Sequence, residues 1–346
     1  EPAPSGEPAS GIEWNSDDLT SRFYLSRGEL PEPEAACRGT VPRNPADGWD
    51  ANGDGRFNMQ DYSNQSGGAL PTTACDSRVS DKNGNSILDP EDLIMTFSDG
   101  TDADGNGYID DISGWDFFDN DNNPKDDVQF GHGTGEANDS TAQANNGRGS
   151  AGVCPDCSVV MLRCGDSFVV DAGDFAMATL YAVDNGASII QEALGGINGP
   201  ALAFDAIDYA YKNGVIVVAS AADENSFHHN LPGTANHTWY VHATRYDSDG
   251  IEAAKTFNAF NNCTNYGPQL ALSVPGTACS SEATGRGAGI SGLLYSFALK
   301  QNLQPPDGAF ATDLTQSRRL SAGQVLQLLN MNVDDIYDPS IDTDAK

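Results

Sequence analysis

The sequence predicts an α/β fold in which a parallel β-sheet is flanked by helices and preceded by a loop-rich N-terminal region. Three observations predict it. From about residue 110 onward, apolar runs of strand length alternate with segments of helix length. The first third is instead a series of Asp-, Asn- and Gly-rich loops. A chain of 346 residues is also long enough to bury a large core.

SVVMLR (158–163), ASIIQEAL (187–194), VIVVASA (215–221) and TWYVHATR (238–245) are near-continuous apolar runs, the pattern of strands buried on both faces. Between them, 171–186 and 200–214 read as amphipathic helices that end at Asn-Gly. Residues 281–301 (SEATGRGAGISGLLYSFALKQ) read as a small-residue helix packed tightly in the core, and 321–331 as one more helix before an acidic tail. The alternation implies βαβ units, whose reactive groups collect at the carboxyl ends of the strands.

Charge and cysteines narrow the function classes. Against 18 Lys and Arg stand 50 Asp and Glu, a formal net charge of −32. That balance disfavours nucleic acid and anionic membranes as partners. No apolar run reaches the length of a membrane span. The opening EPAPSGEPAS reads as a flexible linker and lacks the profile of a signal peptide. Of the seven cysteines, Cys37 with Cys75 and Cys263 with Cys279 are plausible bridges, and the odd one over is assigned to Cys164, inside an apolar run. Cys154 and Cys157 form C-P-D-C without the second pair that a zinc site needs. With the acidity, these cysteines point to a secreted, cell-surface or periplasmic protein.

The acidic residues are ordered. In 50–61, DANGDGRFNMQD, the spacing is that of an EF-hand-type calcium loop: Asp50, Asn52, Asp54, Arg56 at the backbone-ligand position, Asn58 and Asp61, with Gly55 at the sharp turn. Residues 81–92, DKNGNSILDPED, repeat it with Asp81, Asn83, Asn85, Ile87, Asp89 and Asp92, and Ser86 takes the place of the glycine. Residues 102–111 begin it again with Asp102, Asp104, Asn106, Tyr108 and Asp110. There position 12 is Ser113, so this loop must close differently. A fourth cluster, 119–127, has no such register. Ca²⁺ is the expected cofactor, because it would offset the repulsion among these carboxylates. Asn/Asp/Gly turns without a metal are the bland alternative.

The candidate chemistry lies in the second half. GHGT (131–134) opens a helix; ALGG (193–196) ends a strand; VVASAADEN (217–225) ends another; CSSEATGRGAG (279–289) opens the small-residue helix. In this order the motifs resemble the subtilisin-like serine peptidases, the subtilases, over roughly residues 105–300. The resemblance implies a subtilisin-like parallel sheet flanked by helices, with a calcium-binding N-terminal extension. It implies His132 as general base and Ser281 as nucleophile, with Ala193, Leu194, Gly195 and Gly196 as the substrate-cradling strand. Asp223 stands where the family has its oxyanion-hole Asn, and Gly285 replaces the family's proline. The related sedolisins also place an Asp at the oxyanion position and work in acid.

Two departures set the expectations to be checked. The family's third member is an Asp that ends an apolar strand as D-[ST]-G. Here the nearest match is PASG, with Ala9 at the Asp position and no apolar strand before it, so strand and Asp lie upstream or are lost. Asp223 could donate to an oxyanion only if burial keeps it protonated while His132 stays neutral, which implies activity confined to mild acid. Glu136, one turn after His132, either orients the imidazole or is a solvated helix-face residue. Arg286 is expected to pair with Glu282.

The expected organisation is 1–104 as linker and calcium-loop extension, 105–310 as the core, and 311–346 as helix and acidic tail. The function so implied is an exported serine endopeptidase acting on polypeptide. The alternative is a catalytically impaired relative with a calcium-stabilised structural or peptide-binding role.

Overall fold

The computed structural model describes residues 5–38, 47–65, 67–169, 171–196, 198–227, 230–245, 259–260, 263–267, 271–303 and 320–333. Eight strands form one sheet in the order β2-β3-β1-β4-β5-β6-β7, with β8 also paired to β6. These are β1 (Ser5–Ala9), β2 (Gly114–Asp116), β3 (Val159–Arg163), β4 (Ile189–Glu192), β5 (Ile216–Ser220), β6 (Thr238–Arg245), β7 (Ala259–Phe260) and β8 (Leu272–Pro275). All pairings are parallel except β6 with β7. The predicted strands at 158–163, 187–194, 215–221 and 238–245 are β3 to β6.

β1 corrects one expectation. A strand does precede the Ala9 position, and it lies in the middle of the sheet between β3 and β4, with Ala9 opposite Arg163. Its sequence, SGEPA, contains Gly and Pro and no apolar run, which is why hydropathy does not reveal it. It falls within the segment assigned to the extension, yet it pairs in the main sheet.

The helices are α1 (Pro90–Phe97), α2 (His132–Thr141), α3 (Ala172–Asp184), α4 (Ala201–Lys212), α5 (Ser280–Lys300) and α6 (Ala322–Met331). The acidic tail beyond 333 lies outside the described residues. α5 is buried along much of its length because its small residues admit close neighbours. A Cβ at Gly285 would lie 2.8 Å from Asp139 Cβ and from the Glu136 carbonyl of α2. A Cβ at Gly289 would meet Val153 at 2.6 Å, and one at Gly292 would meet Cys157 Sγ at 2.7 Å. The glycines are what let α2 and α5 bring their N-termini together.

Cys37–Cys75 and Cys263–Cys279 are disulfides, as expected, and Cys154–Cys157 is a third. Cys164 is a buried free thiol. The fourth acidic cluster also finds its explanation. The guanidinium of Arg163, at the end of β3, is buried and holds Asp116 (2.5 Å), Asp119 (2.7 Å), Asp127 (3.4 Å) and Asp166 (2.6 Å). One side chain thus supplies the positive charge for this group of carboxylates.

The first two Asp/Asn loops fold alike. Asp50 accepts from the amides of Gly53 and Gly55, and Asp81 from those of Gly84 and Ser86. At the far end, Asp61 accepts from Ala51, Asn52 and Asn58, and Asp92 from Lys82, Asn83 and Asp89. Ser86 adopts φ 71° at the position where Gly55 has φ 88°, so the turn is kept at the cost of strain. Burial, and then Asp54 and Asp50, push the Asp61 carboxyl up to about 8.

Candidate active site

His132 is the first residue of α2, and its entry is held from both sides. Gly131 takes φ 75°, a turn that favours glycine. Asp126 accepts from the amides of Phe130 (3.1 Å) and Gly131 (2.6 Å). The amide of Gly133 donates to Ser10 Oγ (3.1 Å), and that of Glu13 to Thr134 Oγ1 (2.9 Å). The chain leaving β1 is therefore fastened to the start of α2, one residue beyond Ala9.

Ser281 is the second residue of α5. Its Oγ lies 3.0 Å from His132 Nε2 and 3.3 Å from the carbonyl of Ala193. The Ser–His contact is at hydrogen-bond distance, as a nucleophile and its base require. Thr284, three residues further along α5, is buried and donates to the Ser280 carbonyl. Phe130 stacks on the imidazole at 5.7 Å and 22°. Burial lowers the His132 pKa from its usual 6.5, against the opposing charges of Asp223 and Asp126. The neutral, proton-accepting form is therefore favoured. The other ring nitrogen, Nδ1, is buried without a hydrogen-bond partner.

A cleft of about 550 Å³ opens over the pair, lined by Ala193, Leu194, Gly195 and Gly196 beyond the end of β4. Phe130, Phe168, Asp223 and Glu224 line it as well. All four predicted cradle residues, with His132, Ser281 and Asp223, thus meet around one space.

Asp223 does not meet the condition set for it. It is exposed, not buried. Its Oδ1 accepts from the amide (2.8 Å) and hydroxyl (2.6 Å) of Ser280. The carboxylate serves here as an acceptor. The burial on which the mild-acid expectation rests is therefore absent.

Glu136 departs from both of its readings. It is buried, not solvated. Its Oε1 is 4.0 Å from Nε2, on the Ser281 side of the ring, so it does not serve Nδ1. Burial first, then Asp139 and Glu282, raise its pKa well above 4.5. A raised carboxyl stabilises the fold fully below its unfolded pKa, and the contribution is lost as pH rises through the folded one. The melting temperature should accordingly fall between pH 5 and pH 8 in saturating Ca²⁺, and Glu136→Gln should flatten that fall. Identical slopes in thermal melts of the two proteins would refute it. Arg286 pairs with Glu282, as expected, and also donates to the Pro275 carbonyl (2.8 Å).

In the third loop, Asp102 accepts from Gly105 (2.7 Å) and Gly107 (2.9 Å), matching the other two at its start. Its end differs. Asp110 takes φ 56° and accepts from the amides of Asp99 and Gly100, while Tyr108 packs its ring on Trp115, Phe117 and Tyr181. It is Asp111, not Asp110, that comes beside Asp104, and Glu29 joins them. Of the remaining histidines, His237 stacks on Tyr211 and bonds Asp208, away from the cleft, and His228 and His229 lie outside the described residues.

A parallel sheet with a Ser–His pair at its carboxyl edge is the layout of an α/β serine hydrolase. The chain belongs to the subtilase family, whose pattern matches residues 10–305. It is 31% identical to thermitase of Thermoactinomyces vulgaris over 204 residues, which cover 54% of this chain and 67% of thermitase. It is 27% identical to a thermophilic serine proteinase of Bacillus sp. (strain AK1) over 245 residues, 70% of this chain and 56% of that one. The solved structure of a cold adapted subtilisin-like serine proteinase aligns with a TM-score of 0.47 at 20% identity, covering 63% of this chain and 72% of that one.

Proposed function

We propose that the chain is an exported serine endopeptidase, slowed by the loss of its third catalytic member, with Ser281 as nucleophile and His132 as base. The observation that carries this is the 3.0 Å contact between Ser281 Oγ and His132 Nε2 beside the 193–196 strand end. Polypeptide lies along residues 193–196. Ser281 gives its proton to His132 and attacks the carbonyl carbon; His132 returns the proton to the leaving amine; water then hydrolyses the acyl-enzyme by the same route. The N–H of Ser281, at the second position of α5, has no intrahelical acceptor and is the donor proposed for the developing oxyanion. The three disulfides support export. Among the described residues, no helix is long and apolar enough to cross a membrane.

The test is hydrolysis of an unstructured polypeptide at pH 7–9. Slow cleavage that disappears in both Ser281→Ala and His132→Ala supports the proposal. Cleavage that survives Ser281→Ala refutes it. Ala9 and Asp223 favour the second reading, a calcium-stabilised peptide-binding relative. That reading takes over if no cleavage occurs and the same peptides bind the cleft.

Calcium belongs to the proposal through the shared geometry of the 50–61 and 81–92 loops. An ion held only by the folded state at 100 times its Kd adds about 2.7 kcal/mol, and about 4 °C in melting temperature for a chain of this size. Excess chelator should lower the melting temperature by at least that amount. An unchanged melting curve would remove calcium from the account.

A further inference from the structure

Glu29, Asp104 and Asp111 bring carboxylate oxygens within 4.8 Å of one another. Asp104 and Asp111 belong to the third loop and Glu29 to a distant part of the chain, and the amide of Asp104 donates to Glu29 Oε1 (3.0 Å), which fixes the approach. Among the described residues, no lysine or arginine forms an ion pair with any of the three. Asp111 is 1% exposed. Its Oδ2 accepts from Tyr181 Oη (2.6 Å) and Asn106 Nδ2 (2.9 Å), which set the plane of the carboxylate. Its Oδ1 is buried too and has no partner. A buried, unpartnered carboxylate oxygen beside two further carboxylates is costly unless a positive charge meets it.

We infer that Glu29, Asp104 and Asp111 form a site for a hard divalent cation, which closes the third loop from outside its own sequence. The donors are all oxygen, the set that Ca²⁺ takes and Zn²⁺ does not favour. Bonds of about 2.4 Å let one ion reach oxygens about 4.8 Å apart. Glu29 supplies the carboxylate that position 12 lacks. The ion ties the segment around Glu29 to Tyr181 on α3, and so clamps the N-terminal region onto the sheet. The inference deepens the calcium reading and rests on it only for the choice of ion.

The experiment counts Ca²⁺ bound per chain by elemental analysis after dialysis, and follows Tb³⁺ luminescence excited through the tyrosines, since Tyr181 touches a ligand. Glu29→Gln and Asp111→Asn should each lose one equivalent, or weaken one site at least about ten-fold. Asp110→Asn should lose none. Glu29 is only half-buried, so its variant leaves the packing intact. Unchanged stoichiometry and affinity in Glu29→Gln and Asp111→Asn would overturn the inference, as would loss of the equivalent in Asp110→Asn. If Asp50→Asn and Asp81→Asn lose nothing while Glu29→Gln loses one, the EF-hand-type reading falls and this site stands. Neither readout depends on peptidase activity.

Discussion

Ala9→Asp should raise kcat/KM on an unstructured polypeptide by about 10²–10⁴. Ala9 ends β1, the next residue binds the amide that follows His132, and the imidazole Nδ1 is buried with no partner. A carboxylate there would accept a hydrogen bond from Nδ1–H, fix the tautomer that leaves Nε2 free for Ser281, and stabilise the imidazolium formed on attack. Ala9→Asn is the control, because it offers similar bulk without the charge. If Ala9→Asp folds with a native circular dichroism spectrum and gains nothing over Ala9→Asn, the missing carboxylate is not what limits this site.

Asp223→Asn should give the second largest gain, about 10²–10³ in turnover at neutral to alkaline pH. Asn keeps an acceptor for Ser280 and adds a donor where negative charge develops. Activity of both proteins should fall only as pH drops through the lowered pKa of His132, because protonation there removes the base. A variant slower than the native protein at every pH would show that Asp223 does not face the oxyanion.

Much of this site is legible from residues alone, because its parts sit at local motifs. GHGT opens a helix, the serine begins another, and the apolar runs between them number the parallel strands. What is not legible depends on neighbours distant in sequence. β1 is hidden by Gly and Pro, and only its partners in the sheet declare it a strand. HGTGEANDST looks solvated, yet Glu136 is buried because glycines of α5 let that helix close over it. Glu29 lies 75 residues from Asp104, and no spacing rule joins them. Likewise, Asp119 and Asp127 of the 119–127 cluster are held by Arg163, which arrives from β3, and no spacing within the cluster announces it.

The most direct measurement of the central claim is labelling with a fluorophosphonate, followed by mass-spectrometric location of the adduct. A single adduct is expected on Ser281, formed slowly in the native protein and faster in Ala9→Asp. It should be strongly slowed in His132→Ala and absent in Ser281→Ala. An adduct on Thr284 or any other residue, or no adduct in native protein and Ala9→Asp alike, would contradict it.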